Sequence, residues 1–313
     1  MKISNSLKSI NNIYKNMSNF GKILLFVALL LIIVVFFKTI TRYTSKEGFK
    51  QTDKFLFVEG NDVFDDFYAG VYDYLVFNNI KNEYEVGRII NTTEPASTSV
   101  IADIGCGTGH HVASLASKDL NVVGVDISPS MIKEAKKNYP QYNFRVGNAL
   151  DENLFKYNSL THVLCMYFTI YYFRDKRLFF DNCMDWLMPG GYLIIHLVNR
   201  ETFDPILPPG NPLYIVSPQK YAKERITKTK ITFNDFVYES NFNLDEDKDI
   251  ATFDEKFKFE DGNVRKQQQM LYMEDTATIV NMAQDCGFIL QGKIDLVKCA
   301  YENQYLYIFS KPS

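Results

Sequence analysis

Three glycines at alternate positions, Gly105, Gly107 and Gly109, and two acids, Asp103 and Asp126, carry the clearest chemistry in the sequence. Glycine takes positive φ without strain and has no Cβ to hold a ligand off the backbone. A chain that turns through Gly-x-Gly-x-Gly therefore lets a nucleotide-like molecule lie against its main chain, beside the start of a helix. Asp103 stands just before the turn, where a carboxylate suits a cation better than a pyrophosphate. Asp126 ends the next apolar run, Val122-Val-Gly-Val-Asp126, 23 residues after Asp103. A carboxylate at the end of a second strand suits a ribose diol. The dinucleotide pattern G-x-G-x-x-G is not met, because His110 stands where its third glycine would fall, and no Gly-Lys-Ser/Thr P-loop is present.

Positioning these residues takes a buried strand before the turn and a helix after it. The apolar run Val100 to Ile104 and the helix-like segment His111 to Lys118 meet that need. Strands are expected near 100–104, 121–126, 142–147, 161–167 and 191–198, with helices near 111–118, 129–138 and 175–188. Such alternation implies a parallel sheet covered by helices on both faces. Ser128-Pro129 supplies a helix start, with a capping hydroxyl and a proline in the first turn. Upstream, Phe64, Phe67, Tyr68, Val71, Tyr72 and Leu75 recur at helical spacing, so residues 62–91 read as helical. Downstream, alternating runs and the turn Asp261-Gly-Asn263 give an antiparallel platform over roughly 213–273. A helix over 274–286 stops at Gly287. Runs at 288–297 and 304–310 then close the chain as an antiparallel pair.

The string Val100-Ile-Ala-Asp-Ile-Gly-Cys-Gly-Thr-Gly109, followed by Asp126, resembles motifs I and II of class I S-adenosylmethionine (SAM)-dependent methyltransferases. The resemblance extends through most of residues 62–310. It implies a doubly wound, mostly parallel seven-stranded α/β sheet, with SAM as cofactor and S-adenosylhomocysteine as product. It also implies roles for particular residues. Asp103 faces the positive end of SAM, Gly105, Gly107 and Gly109 allow close approach of its methionine part, and Asp126 holds the ribose. Ile127 and Met131 pack on adenine, and Asn148, with Ala149 beside it and Asp151 as a substitute, stands where the family usually has an acid for the adenine amino group. Cys165 lies where strand four meets the cofactor. Phe67-Tyr-Ala-Gly-Val-Tyr-Asp73 is similar to the helix that covers the cofactor in small-molecule members, which makes Tyr68 and Tyr72 acceptor-side candidates. Met188-Pro-Gly-Gly191 is similar to the family's join into strand five, and the segment 213–273 is similar to an insertion that roofs the acceptor pocket.

His196 is the first choice for a general base, because the carboxyl ends of strands four and five are where such a sheet opens to ligand. Tyr167 and Tyr171 are further candidates. Each of these aromatics, and His196 itself, is equally readable as an ordinary core group. Cys106, His110 and His111 fit none of the common zinc spacings, so no metal is expected.

The 313 residues are 46% hydrophobic and 15% aromatic, enough for one main domain with an embellishment. The net charge of -3 conceals a split: residues 1–54 carry nine basic and two acidic side chains, the rest 25 and 35. An acidic catalytic part argues against nucleic acid as a partner. Five scattered cysteines form no CxxC pair and suit a reducing compartment.

Ile23 to Phe37 is an unbroken apolar run bracketed by Lys22 and Lys38. At 1.5 Å per residue it spans roughly 22 Å, and flanking residues with snorkelling lysines extend it toward the ~30 Å bilayer core. Residues 1–54 are therefore expected to hold a single membrane-spanning helix at about 20–40. Residues 55–313 would form the catalytic domain, on the cytosolic side where SAM is made. The function expected is methyl transfer to an N or O atom of an acceptor, a small molecule in preference to a protein side chain. The alternatives are a tethered binding module that keeps the fold without turnover, and a nicotinamide oxidoreductase, which the closing antiparallel pair opposes.

Overall fold

The computed structural model describes residues 18–44, 54–210 and 218–313. The chain divides into two compact units, Met1–Lys50 and Gln51–Ser313. The first unit contains helix α1 (Asn19–Thr44), 26 residues long. Its start is capped by the Ser18 hydroxyl, which accepts from the Gly21 N–H at 3.1 Å. The apolar run foreseen for the membrane does lie within this helix. Among the described residues, however, no helix is long and apolar enough to cross a membrane. The expected span is thus not borne out by the described residues, and the side chains at position 31 and over 33–44 lie outside them.

The second unit opens with β1 (Phe55–Glu59), followed by helices α2 (Asp66–Val76) and α3 (Asn79–Thr93). Then come β2 (Val100–Ile104), α4 (His110–Ala116), β3 (Asn121–Asp126), α5 (Pro129–Asn138) and β4 (Asn143–Val146). The next elements are β5 (Leu160–Cys165), a short turn of helix α6 (Thr169–Tyr172), α7 (Lys176–Trp186) and β6 (Leu187–Val198). Four further strands follow: β7 (Lys228–Thr232), β8 (Phe236–Asp245), β9 (Ile250–Phe259) and β10 (Val264–Tyr272). Helix α8 (Thr276–Asp285) leads into β11 (Ile289–Asp295) and β12 (Gln304–Ser310).

Seven strands form the main sheet in the order β11-β12-β6-β5-β2-β3-β4. The strands from β6 to β4 in that order run parallel, while β12 is antiparallel to β6 and to β11. The reversed pair is the closing hairpin that the sequence implied. The central strands are buried on both faces, which is why they read as apolar runs without alternation. One face packs on Phe179, Phe180, Trp186 and Phe288, the other on Val86, Ile89, Val112 and Leu115. Each such side chain contributes about 1.5–3 kcal/mol when fully buried.

A second sheet, β1-β10-β9-β8-β7, forms the platform expected over 213–273, of which residues 218–273 are described and 213–217 lie outside the described residues. Its edge strand was not foreseen. β1 pairs parallel to β10, Phe55 opposite Val264 and Glu59 opposite Gln268, so the platform takes a strand from more than 150 residues upstream. A five-residue run such as Phe-Leu-Phe-Val-Glu carries no information about its partner; only the tertiary arrangement supplies one.

The helical stretch expected over 62–91 is two helices. Asn78 leaves the helical region, with φ -134° and ψ 111°, and its side chain accepts from the Lys81 N–H to start α3. Asp65 caps α2 in the same way, through the Tyr68 N–H at 3.0 Å. Strand β5 stops at Cys165 rather than at 167, because Tyr167 has φ +54°. A bulky residue in that region is strained. The strain sits where the main sheet opens.

Candidate active site

The glycine turn links β2 to α4, with positive φ at Gly105, Gly107 and Gly109. A Cβ at Gly105 would meet the Thr169 side chain at 2.4 Å, and one at Gly109 would meet the Phe144 ring at 2.7 Å. Those two glycines are therefore needed for packing, and Gly109 lines neither of the cavities described below. Gly107 differs: a Cβ there would find only Tyr72 Cε1, at 3.8 Å. Its bare face is a cradle. The turn's own N–H groups are largely used internally. Gly105 and Cys106 donate to the Val125 carbonyl, Gly109 to the Cys106 carbonyl, and Gly107 to Asp126 Oδ2 at 2.9 Å. Few donors remain for a phosphate, consistent with a ligand that carries no pyrophosphate.

Asp126 also accepts from the Ser128 N–H at 2.9 Å. Burial raises its carboxyl pKa, and the N–H groups of Ser128, Gly107 and Ile127 oppose that rise. It thus clamps the turn and the start of α5 while each oxygen keeps acceptor capacity toward the cavity. Asp103 is in a different state. It is 1% exposed, and neither carboxylate oxygen has a hydrogen-bond partner. Burial pushes its pKa up to about 7, against the lowering influence of His111. An orphaned buried carboxylate costs free energy until a cation arrives.

Asp103 lines a small cavity of about 80 Å³, shared with Gly107, Lys81, Glu85, His111 and Tyr167. Lys81 Nζ lies 2.6 Å from Glu85 Oε1, and His111 Nε2 is 3.0 Å from Glu85 Oε2. Glu85 is held down to about 2, by Lys81 and His111 against the effect of burial. A larger cavity of about 330 Å³ continues from Gly105 and Gly107 toward the second sheet. Helix α2 closes over the turn. Thr108 Oγ1 donates to Asp73 Oδ1 at 2.6 Å, His110 Nε2 lies 3.1 Å from Asp73 Oδ2, and the Phe77 ring stacks on His110 with centroids 3.6 Å apart.

Most cofactor candidates meet in the larger cavity. Gly105, Gly107, Asp126, Ile127, Met131, Asn148 and Ala149 all line it. Asn148 is on the wall, but its Oδ1 accepts from the Leu150 N–H at 3.0 Å, so the carbonyl expected to serve adenine is already engaged in the turn. Asp151 does not line the cavity; its Oδ1 accepts from the Asn153 N–H. Cys165 is fully buried and lines neither cavity, because its strand position faces the core; Ile104 and Val125 occupy the wall instead.

Among the acceptor-side candidates, Tyr72 and Tyr167 line both cavities, and Tyr68 the larger. Tyr171 is buried with its hydroxyl accepting from the Val198 N–H. His196 lines neither cavity and is 0% exposed. Burial pushes its pKa down to about 3, so the ring is neutral. Its Nδ1 lies 2.5 Å from the Tyr167 carbonyl and its Nε2 3.0 Å from Gln304 Oε1, and the neutral ring donates its single N–H to one of these two oxygens. In this arrangement His196 is a positioning residue. It holds the strained Tyr167 backbone and Gln304, which both reach the larger cavity.

Several wall residues escaped sequence reasoning, notably Lys81, Phe203, Tyr172 and Gln269. One signal was available for the last. On β10 the inward positions are Arg265, Gln267 and Gln269, all buried, where a roof over an apolar pocket should show apolar residues. Buried polar residues at alternate strand positions call for partners. Those partners come from α2 and the residues just before it, from β9 and from Tyr172 of α6.

Comparison with known proteins fits this geometry. Residues 101–191, which include the glycine turn, Asp126 and Asn148, match the family described as "Methyltransferase domain". A putative methyltransferase, 235L, of Invertebrate iridescent virus 6 is 31% identical over 119 residues, covering 37% of this chain and 43% of the viral protein. The dTDP-4-amino-2,3,4,6-tetradeoxy-D-glucose N,N-dimethyltransferase of Saccharopolyspora spinosa is 29% identical over 114 residues, 36% of this chain and 45% of the other. The chain thus spans less than half the length of these two relatives. The structure of the CcbJ methyltransferase from Streptomyces caelestis superimposes with TM-score 0.61 at 16% identity, covering 80% of this chain and 98% of that one. The sugar N-methyltransferase KedS8 from Streptoalloteichus gives TM-score 0.57 at 19% identity, over 86% and 98%. The fold is that of the class I SAM-dependent methyltransferases.

Proposed function

We propose that the protein is a SAM-dependent methyltransferase acting on a small molecule. The observation that carries this reading is the pairing of the Gly107 cradle with an orphaned Asp103 on one side and the half-engaged Asp126 on the other. The cofactor's sulfonium supplies an activated methyl group. Asp103 would hold its amino group and Asp126 its ribose hydroxyls, while Ile127 and Met131 flank the base. Tyr72 and the strained Tyr167, which reach both cavities, would separate the cofactor's amino-acid end from the acceptor and keep water from the path between them. The walls beyond, Phe64, Phe168, Phe203 and Phe242, would hold an acceptor with an apolar body.

Calorimetric titration of the full chain is expected to show 1:1 binding of both SAM and S-adenosylhomocysteine. With labelled SAM, methyl label should then appear on a member of a panel of small amines and phenols. A well-folded chain that binds neither compound at millimolar concentration would rule the reading out. Binding without label transfer to any acceptor class, protein included, would leave a tethered binding module in its place.

Attachment to a membrane through residues 20–40 is a further part of the proposal, supported by the unbroken apolar run between Lys22 and Lys38. The full chain is expected to stay in the membrane pellet after extraction with alkaline carbonate; release into the supernatant rejects the anchor.

A further inference from the structure

We propose that the inner face of the second sheet holds an acceptor subsite for a protonated amine, formed by the Tyr68 hydroxyl and the Gln269 amide with the Glu255 carboxylate directly behind them. The inference rests on the larger cavity being the methyl-transfer site, and it names the acceptor's chemical class: a compound bound through an ammonium group, whose methylated atom is a separate neutral nitrogen or oxygen, because an ammonium has no lone pair for the methyl.

Glu255 projects inward from β9 and is 2% exposed. Four donors converge on it. Tyr238 and Tyr68 donate their hydroxyls to Oε1 at 2.6 and 3.1 Å, and Gln267 and Gln269 donate their amides to Oε2 at 2.7 and 2.5 Å. Burial raises the Glu255 pKa, and the bonds from Tyr238, Gln267, Gln269 and Tyr68 oppose that rise by favouring the ionised form. Every one of these partners is neutral. A buried carboxylate whose direct partners are all neutral, the Arg265 guanidinium reaching it only through Gln267, differs from Glu85, which has Lys81 beside it. Holding it there costs free energy that an approaching cation recovers.

The cation's route is open from one side. Tyr68, Gln269 and Tyr172 all line the larger cavity, and Glu255 lies behind them. The Tyr68 oxygen donates to Glu255, accepts from Gln269 Nε2 at 3.0 Å, and keeps one lone pair. The Gln269 carbonyl accepts from the Tyr172 hydroxyl, which fixes the amide's orientation. An ammonium N–H can therefore bond to the Tyr68 oxygen, with the compensating charge one hydrogen bond further in.

The rest of the wall agrees. Among the described residues lining this cavity there is no lysine, arginine or histidine; the charged ones are Asp126 and Asp204. Phosphate- or carboxylate-bearing acceptors find no counter-charge there. The rings of Phe64 and Tyr72, which pack beside Tyr68 and line the cavity, offer aromatic faces for an ammonium. A purely architectural Glu255 would hold Tyr238 and Gln267 equally well but would give the cavity no preference among ligand charges.

The test uses three probes of similar shape, 2-phenylethylamine, 2-phenylethanol and phenylacetate, titrated into the full chain saturated with S-adenosylhomocysteine. The amine is expected to bind at least about tenfold more tightly than the other two, the range of a charge-assisted hydrogen bond. Glu255→Gln should remove that preference while leaving affinity for S-adenosylhomocysteine within about twofold. Where Glu255→Gln also disturbs the fold, Tyr68→Phe keeps the ring packing and should abolish the preference by itself. Equal or tighter binding of phenylacetate, no binding of any probe, or a preference that survives both substitutions overturns the subsite and leaves the cofactor reading intact. Failure of S-adenosylhomocysteine to bind the unaltered chain overturns the methyltransferase reading, and the subsite with it.

Discussion

Replacing Asp126 with alanine is expected to lower affinity for SAM by at least about 100-fold. Two losses combine. The ribose loses a carboxylate acceptor, and hydrogen bonds to charged groups are worth about 1.5–3 kcal/mol each. The turn also loses its clamp, since the Gly107 and Ser128 N–H groups both donate to this side chain. Freed from it, Gly107 no longer holds the positive φ that presents its bare face to the cavity. Together about 3–4 kcal/mol corresponds to a factor of several hundred in Kd. Asp126→Asn keeps an acceptor for one N–H and should lose only about tenfold. Calorimetric titration of SAM into the two variants and the unaltered chain decides the matter. An Asp126→Ala variant that binds within a few-fold of the unaltered chain would mean that the ribose lies elsewhere.

The second large effect concerns pH. Asp103 in the ligand-free protein is raised to about 7 by burial. A cationic amino group beside it favours the ionised form, so binding below pH 7 must first release a proton. Affinity for SAM should therefore be constant above about pH 7.5 and fall by about tenfold per unit as pH drops from 7 toward 5. Stability follows the opposite course. The folded carboxyl binds its proton more tightly than the unfolded one, so ligand-free stability is fullest below the usual carboxylate range and declines as pH rises through 7. Asp103→Asn removes both dependences: it should bind SAM more weakly at pH 8, with a flat profile, and melt at a higher temperature than the unaltered ligand-free chain at that pH. A flat affinity profile for the unaltered chain between pH 5.5 and 8 would show that Asp103 does not meet the cofactor's charge.

The sequence by itself determined the cofactor half. A glycine turn is a local property: three positions that need positive φ or absent side chains can be read from three letters. The strands around it are buried on both faces, so each is an apolar run, and the acids at their ends stand out by contrast. That logic placed Asp103 and Asp126 on the walls of the two cavities and foretold the reversed closing pair of the main sheet, while Ile127 and Met131, which also line a wall, came from the resemblance to the methyltransferase family.

It failed where a residue's role depends on what another segment brings. His196 ends an apolar strand and reads as a base at the mouth of the sheet, but its ring is spent on the Tyr167 carbonyl and Gln304. Cys165 occupies the right strand end and faces the wrong way. Glu255 and Gln269 look like the polar half of ordinary alternating strands until α2 lays Tyr68 against them. Only the tertiary structure decided these, because strand alternation fixes that two sets of side chains face apart without fixing which face the rest of the chain will cover.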